Sequence, residues 1–257
     1  KKYWDLYDRN QFKLPSRRTP PDGAPSYAPQ FGGELRQYAD TPERGPIPED
    51  MQRTLIHGYH AAVSYMDAQL GRVLDELDRL RLSDNTIILL WGDHGWHLGD
   101  HGMWCKHTNY EQANRIPFIV VAPGVAKKGS RTRAMAETVD IYPTLVELAG
   151  LPAPKVPQQL DGKSLVPVLR KPRISVKDHV MHVFPRGPRL GRAIRTERYR
   201  LVEWKAPNDP VEKAEYELYD YKKDPEESKN LAREKPEVVR ELRQLLASYP
   251  APKPPLR

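Results

Sequence analysis

The feature that most constrains this chain is a change of hydrophobic period at residues 83–85. Before it, Leu55, Tyr59, Ala62, Val63, Met66, Leu70, Val73, Leu74, Leu77 and Leu80 recur at three- and four-residue steps. That repeat predicts one long amphipathic helix from about Asp50. Ser83-Asp84-Asn85 makes a turn, and Thr86-Ile87-Ile88-Leu89-Leu90-Trp91 follows as an unbroken apolar run. A helix feeding such a run predicts a strand covered on both faces, as in a buried parallel sheet. A second run at 116–122 is stopped by Pro123-Gly124. A helix is expected over 141–149, with Asp140 as its cap and Gly150 as its stop. Alternating helices and buried strands make this an α/β sandwich.

The flanks differ. Residues 1–48 carry Pro15, Pro20, Pro21, Pro25, Pro29, Pro42, Pro46 and Pro48, the composition of a long surface excursion. Beyond Pro172, residues 179–184, 192–196, 199–204 and 217–220 read as short strands of an antiparallel sheet with one solvated side. Residues 236–248 read as a closing helix with Val238, Val239, Leu242, Leu245 and Leu246 on its apolar face. The boundary is set near residue 171, giving a region 1–170 and a smaller sheet-plus-helix subdomain 171–257.

With 29% charged and 39% hydrophobic residues, the chain has the balance of a globular domain. No apolar run approaches the roughly 20 residues that span a bilayer. The opening Lys1-Lys2-Tyr3-Trp4 has neither an initiator Met nor a leader-like apolar stretch, so residue 1 reads as a cut edge. A net charge of +7 suits an anionic substrate or, equally, a solvated surface. Zinc-finger spacing, RNP-type aromatic motifs and a recognition helix are all absent, so nucleic acid is not an expected partner. The single cysteine, Cys105, excludes an internal disulfide framework.

Chemistry concentrates between Asp93 and His107, just past the end of an apolar strand, where open α/β sheets place their ligands. His94, His97, His101 and His107 stand there with Asp93, Asp100 and Lys106, among Gly92, Gly95, Gly99 and Gly102. Asp93 offers a hard oxygen and His94 a ring nitrogen, a pair suited to a divalent cation. Lys106 would present a point charge to an anion beside it. Singly, each reads more blandly: an Asp-His pair as a turn or cap, His97, His101 and His107 as structural or surface residues, Cys105 as a small buried thiol. The joint spacing carries the functional reading.

Asp93-His94-Gly95-Trp96, Leu98-Gly99-Asp100-His101-Gly102 and Lys106 resemble the second metal-binding motif of the sulfatases in the alkaline phosphatase superfamily. Arg115-Ile116-Pro117-Phe118-Ile119, Thr138 to Leu145, Asp161-Gly162-Lys163-Ser164-Leu165 and Glu217-Leu218-Tyr219-Asp220 fit the family's pattern in order. His94 directly after the aspartate, with Trp96 and Gly45-Pro46-Ile47-Pro48, is similar to the iduronate-2-sulfatase branch. The resemblance implies an alkaline-phosphatase-like fold of which 1–170 is the C-terminal part of the catalytic domain. It implies Asp93 and His94 as metal ligands, calcium first with a transition metal as the alternative, and Lys106 as the catalytic cation on the sulfate.

It also implies a formylglycine made from Cys in a C-x-P-S-R motif. Cys105 is followed by Lys106-His107-Thr108-Asn109, so that nucleophile belongs to an N-terminal half outside this chain. The expected partners are that half and a sulfated carbohydrate of glycosaminoglycan type. A periplasmic, secreted or lysosome-like location is implied, and the chain by itself is expected to be inactive. Two alternatives stand: a phosphonate monoester or phosphodiester hydrolase of the same superfamily, and a non-catalytic polyanion-binding module built on the basic segment 186–200.

Overall fold

A computed structural model describes residues 1–30, 33–155 and 157–251. In chain order the helices are α1 (Glu49–Arg79), α2 (Glu111–Asn114), α3 (Ile141–Leu148), α4 (Val166–Arg170) and α5 (Pro236–Ala247). The strands are β1 (Ile88–Trp91), β2 (His97–Leu98), β3 (Trp104–Cys105), β4 (Phe118–Val121), β5 (His179–Arg186), β6 (Arg189–Thr196), β7 (Tyr199–Lys205) and β8 (Glu215–Asp220). Contacts divide the chain into two compact units interleaved along the sequence. One comprises Lys1–Pro21, Pro29–Thr86 and His94–Arg115. The other comprises Asp22–Ala28, Ile87–Asp93 and Ile116–Arg257. No helix among the described residues is long and apolar enough to cross a membrane.

In the first unit α1 runs 31 residues, as the period predicts. Its buried positions are Gln52, Ile56, His57 and Ala61, all in the N-terminal half. The stripe from Tyr59 through Val63, Met66 and Val73 to Leu80 is exposed. The core joins Ile56 to Leu35, Ile47, Trp104 and Cys105, with Phe12 and Leu14 packed alongside. The proline-rich opening therefore supplies core side chains, which corrects its reading as a surface excursion. Prolines bar regular structure, yet the apolar residues between them still gain by burial. Leu35 and Ile47, lying between prolines, are both buried.

In the second unit β1 and β4 pair antiparallel, with Ile88 opposite Val121 and Trp91 opposite Phe118. The expected buried parallel sheet is thus corrected in both direction and burial: Trp91, Ile119 and Val121 lie on the surface. The apolar run reports which side chains favour burial, while strand direction depends on a partner strand distant in the chain, which the run does not encode. The four-stranded sheet runs β5-β6-β7-β8, antiparallel throughout. Ile194, Leu201 and Leu218 pack on Val239, Leu242 and Leu246 of α5. The opposite face, expected to be solvated, is covered as well. Ala193, Val202 and Trp204 pack there against Ala28, with Tyr27 edge-on to Trp204 at 5.6 Å. Residues 22–28 are stapled by a parallel bridge between Asp22 and Lys229 and by Asn230 Nδ2 donating to the Gly23 carbonyl (2.9 Å).

Polar groups in this sheet are matched internally. The buried Glu217 carboxylate accepts from Trp204 Nε1 and from the Tyr219 hydroxyl, both at 2.6 Å. Arg200, buried, donates to Tyr221 (2.7 Å) and pairs with Glu227 (3.2 Å). Arg198 makes a bidentate pair with Asp220, Arg192 pairs with Glu203, and Arg195 lies over the Tyr221 ring. The basic segment that suggested a polyanion-binding surface thus meets much of its charge within its own unit.

Asp140 caps differently from expectation. At the N-cap of α3 its side chain makes no bond to that helix. It accepts instead from the Glu137 amide (2.8 Å), in a capping box around the preceding 3-10 turn, Thr138–Asp140. It also accepts from the Lys163 amide and the Lys177 ammonium, each at 2.8 Å. Gly150 ends α3 with φ 65°, as a C-terminal glycine should.

Candidate active site

β1 ends at Trp91, and the Gly92 amide extends its ladder by donating to the Pro117 carbonyl (3.1 Å). Asp93, exposed, is the last residue of this segment of the second unit. His94 opens the next segment of the first unit. The loop then turns sharply, with the Gly95 amide donating to the Ala113 carbonyl of α2 (2.8 Å). A Cβ on Gly95 would lie 2.8 Å from the Arg115 carbonyl oxygen and closer still to that of Gln112. Gly95 is required for close approach, not for backbone freedom. Gly95→Ala is therefore expected to cost about 1–3 kcal/mol or more through overpacking. Gly71→Ala, in α1 with nothing within 4 Å of the new carbon, should instead stabilise by up to about 1 kcal/mol. Urea midpoints of the two variants should move in opposite directions.

His94 Nδ1 lies 2.9 Å from the Gly95 carbonyl oxygen. A carbonyl only accepts, so Nδ1 carries the hydrogen, and in the neutral ring the lone pair sits on Nε2. That is the tautomer a metal-ligating histidine adopts when a backbone carbonyl orients it. The His94 ring stacks on Trp96 (5.7 Å, 27°), and Trp96 in turn stacks on Tyr59 of α1 (6.3 Å, 28°). Lys106 follows β3, with its ammonium 5.4 Å from the Trp96 ring centroid. One indole thus brings His94 and Lys106 into one cluster.

The other histidines hold the loop. His97 is fully buried between the Asp100 carboxylate at Nδ1 and the Thr108 hydroxyl at Nε2 (2.7 Å). The order Asp-His-Thr has the pattern of a nucleophile relay, but Thr108 is buried and also accepts from the Tyr110 amide (3.3 Å). The three residues staple the two ends of the glycine-rich excursion. His101 is buried beside Tyr110 with φ 54°, and its amide donates to the Arg17 carbonyl (2.9 Å). His107 is exposed. Cys105 is a free, buried thiol, and burial pushes its pKa up, the opposite of what a reactive thiolate needs.

Sequence reasoning passed over Glu34. Its Oε1 accepts from the Lys106 ammonium at 2.9 Å, with side chains 34% and 25% exposed. That hydrogen bond outweighs partial burial and, with the charges of Lys106, His107 and His94, holds the Glu34 carboxyl below its usual range. Nothing in a proline- and glycine-rich stretch distinguishes this glutamate; only its partner 72 positions away does. Among the described residues no group of three or more His, Cys, Asp or Glu side chains could hold a metal ion. The chemistry of Asp93 and the tautomer of His94 fit two ligands, fewer than the six to eight oxygens of a calcium site.

The same fold occurs in solved hydrolases. A 2-O GAG sulfatase matches with TM-score 0.73 and 28% identity, over 93% of this chain and 51% of that one. A phosphonate monoester hydrolase from Silicibacter pomeroyi matches with TM-score 0.76 and 25% identity, over 96% and 52%. The fold is therefore the alkaline-phosphatase-like one of the sulfatases. Residues 19–151 match the sequence model of the sulfatase family, and 99–250 that of the N-sulphoglucosamine sulphohydrolase C-terminal region. The chain belongs to the sulfatase family.

Its curated relatives differ in specificity. Iduronate 2-sulfatase of Mus musculus is 36% identical over 184 residues, 60% of this chain and 33% of that protein. N-acetylglucosamine-6-O-sulfatase of Bacteroides thetaiotaomicron is 34% identical over 184 residues, 68% and 32%. The chain spans about a third of the length of these two relatives.

Proposed function

We propose that the complete protein is a sulfuric ester hydrolase acting on sulfated sugars, with a 2-sulfated iduronate of a glycosaminoglycan as its substrate. The observation that carries this reading is the cluster in which Trp96 seats both the His94 ring and the Lys106 ammonium. A cation held beside a metal-ligand tautomer suits an ester whose leaving oxygen gains charge as the bond to sulfur breaks. Asp93 and His94 would hold a divalent ion, and that ion when bound supplies Lewis-acid stabilisation of the sulfate oxygens. Calcium is the first choice on the sulfatase resemblance, and a transition metal is the second because a nitrogen ligand is unusual for calcium. The remaining ligands and the formylglycine nucleophile come from an N-terminal half, and the apolar surface of β1 and β4 suits further strands from it. A periplasmic, extracellular or lysosome-like location goes with this reading.

The competing reading, a phosphonate monoester or phosphodiester hydrolase, is favoured by the Silicibacter pomeroyi neighbour at TM-score 0.76. One experiment separates them. Full-length protein, stripped by chelator, is titrated with Ca²⁺ or Mn²⁺ while release of sulfate from a 2-sulfated uronate disaccharide, or of alcohol from a phosphonate monoester, is followed. Sulfate release should be the faster reaction, and Asp93→Ala should weaken metal affinity by more than the roughly 10–100-fold of an outer-shell change. Faster phosphonate cleavage would overturn the substrate, and unchanged metal affinity in Asp93→Ala would overturn the ligand assignment.

A further inference from the structure

Glu34 has anchored residues on either side. Before it, Gln30 Nε2 donates to the Trp104 carbonyl of β3, and the Gly33 amide donates back to Gln30 Oε1 (3.2 Å). After it, Leu35 is buried in the core cluster with Trp104 and Cys105. Lys106 is the next residue along from that anchored strand. The Glu34–Lys106 pair therefore joins two backbones already held against each other, unlike a pair of freely rotating surface chains. An ammonium has three hydrogens. One is taken by Glu34 Oε1, and the indole face of Trp96 fixes the side on which the group sits. The direction of the remaining hydrogens is thereby set by Glu34 rather than by the flexible lysine stem.

We propose that Glu34 is a positioning residue for Lys106, aiming its ammonium at the leaving oxygen of the sulfate ester. This rests on the sulfatase reading and on the role given there to Lys106. The carboxylate also leaves the pair without net charge, so Lys106 adds little to the ground-state attraction for an anion. Its contribution then concentrates where charge develops on the leaving oxygen, which is how an interaction raises kcat. The dependence should follow the leaving group: a sugar alkoxide needs that stabilisation and a nitrophenolate does not.

The test uses full-length protein carrying Glu34→Ala, Glu34→Gln, Lys106→Ala, and Glu34→Ala combined with Lys106→Ala. Glu34→Ala should lower kcat on a sulfated disaccharide by about 10–100-fold, the cost of misplacing a catalytic group. It should change kcat on nitrophenyl sulfate less than about threefold, with little change in KM for either. Glu34→Gln keeps an acceptor oxygen and should recover most of the disaccharide rate. In the Lys106→Ala background Glu34→Ala should have no further effect, because both changes remove the same contact. Equal losses on both substrates, no loss on either, or additive losses in the double variant would overturn the proposal. If Lys106→Ala itself spares the disaccharide rate, the failure lies with the reading of Lys106 and takes the proposal with it.

Discussion

Asp140→Ala is expected to destabilise the second unit by about 3–5 kcal/mol, the usual cost of removing one member of a buried ion pair. Asp140 is fully buried, and the Lys177 side chain is 7% exposed. The Asp140 carboxylate receives the Glu137 and Lys163 amides and the Lys177 ammonium, so its loss strands both amides and leaves Lys177 with Glu137 alone. Glu137 completes the cluster, accepting from Lys177 (2.6 Å) and from the Met181 amide of β5 (2.9 Å). The first turn before α3, the loop at 161–163 and the entry to β5 are thus joined through two carboxylates. Gly162 belongs to the same junction, where any Cβ would fall on the Val139 carbonyl. Urea unfolding should report the loss, and exchange of the Lys163 and Met181 amides should quicken first. A shift under 1 kcal/mol would show that water replaces the carboxylate.

The cluster also sets a pH dependence. Burial acts to lower the Lys177 pKa, but the hydrogen bonds and charges of Asp140 and Glu137 outweigh it, and the group titrates above its ordinary value. A raised folded value means the stabilisation is fully present below the unfolded pKa of about 10.4 and is lost only as pH climbs through the folded value. The stability difference between wild type and Lys177→Met should therefore be flat through neutral pH and shrink in strong alkali.

Lys106→Ala in the full-length protein should lower kcat on a sulfated disaccharide by about 10²–10³-fold, the range for removing one donor that meets developing charge. Lys106→Arg should recover little of it. The guanidinium is planar and wider than an ammonium, and the site on Trp96 between Glu34 and the loop is set for a point charge. Thermal midpoints should barely move, since the ion pair with Glu34 is partly exposed and such pairs contribute about 0–1 kcal/mol. A midpoint shift of several degrees, or activity within tenfold of wild type, would reassign Lys106 to structure.

Much of this protein was legible from local pattern. The three- and four-residue period gave α1 its length, the short mixed-face segments beyond Pro172 located β5 to β8, and the apolar positions within 236–248 gave α5. These succeed because backbone geometry ties side-chain direction to sequence spacing within a few residues. The motif around Asp93, His94 and Lys106 was legible for a different reason. Its glycines, histidines and lysine are chemically unusual in combination, and the resemblance rests on that order.

What only the tertiary structure decided concerns partners distant in the chain. The period of α1 could not say that Ile56 and Ala61 would be buried and Val63 and Val73 exposed, because an apolar stripe specifies a preference and not a neighbour. The composition of β1 could not specify an antiparallel mate. The prolines of the opening hid that Tyr27 and Ala28 cover a sheet lying wholly beyond residue 178. Asp140 read as a helix cap because only its local amides were in view, while Lys163 and Lys177 lie 23 and 37 positions on. Glu34 carried no signal at all. A charge acquires its role from the opposite charge that folding brings within 3 Å, and that distance is a property of the packed chain.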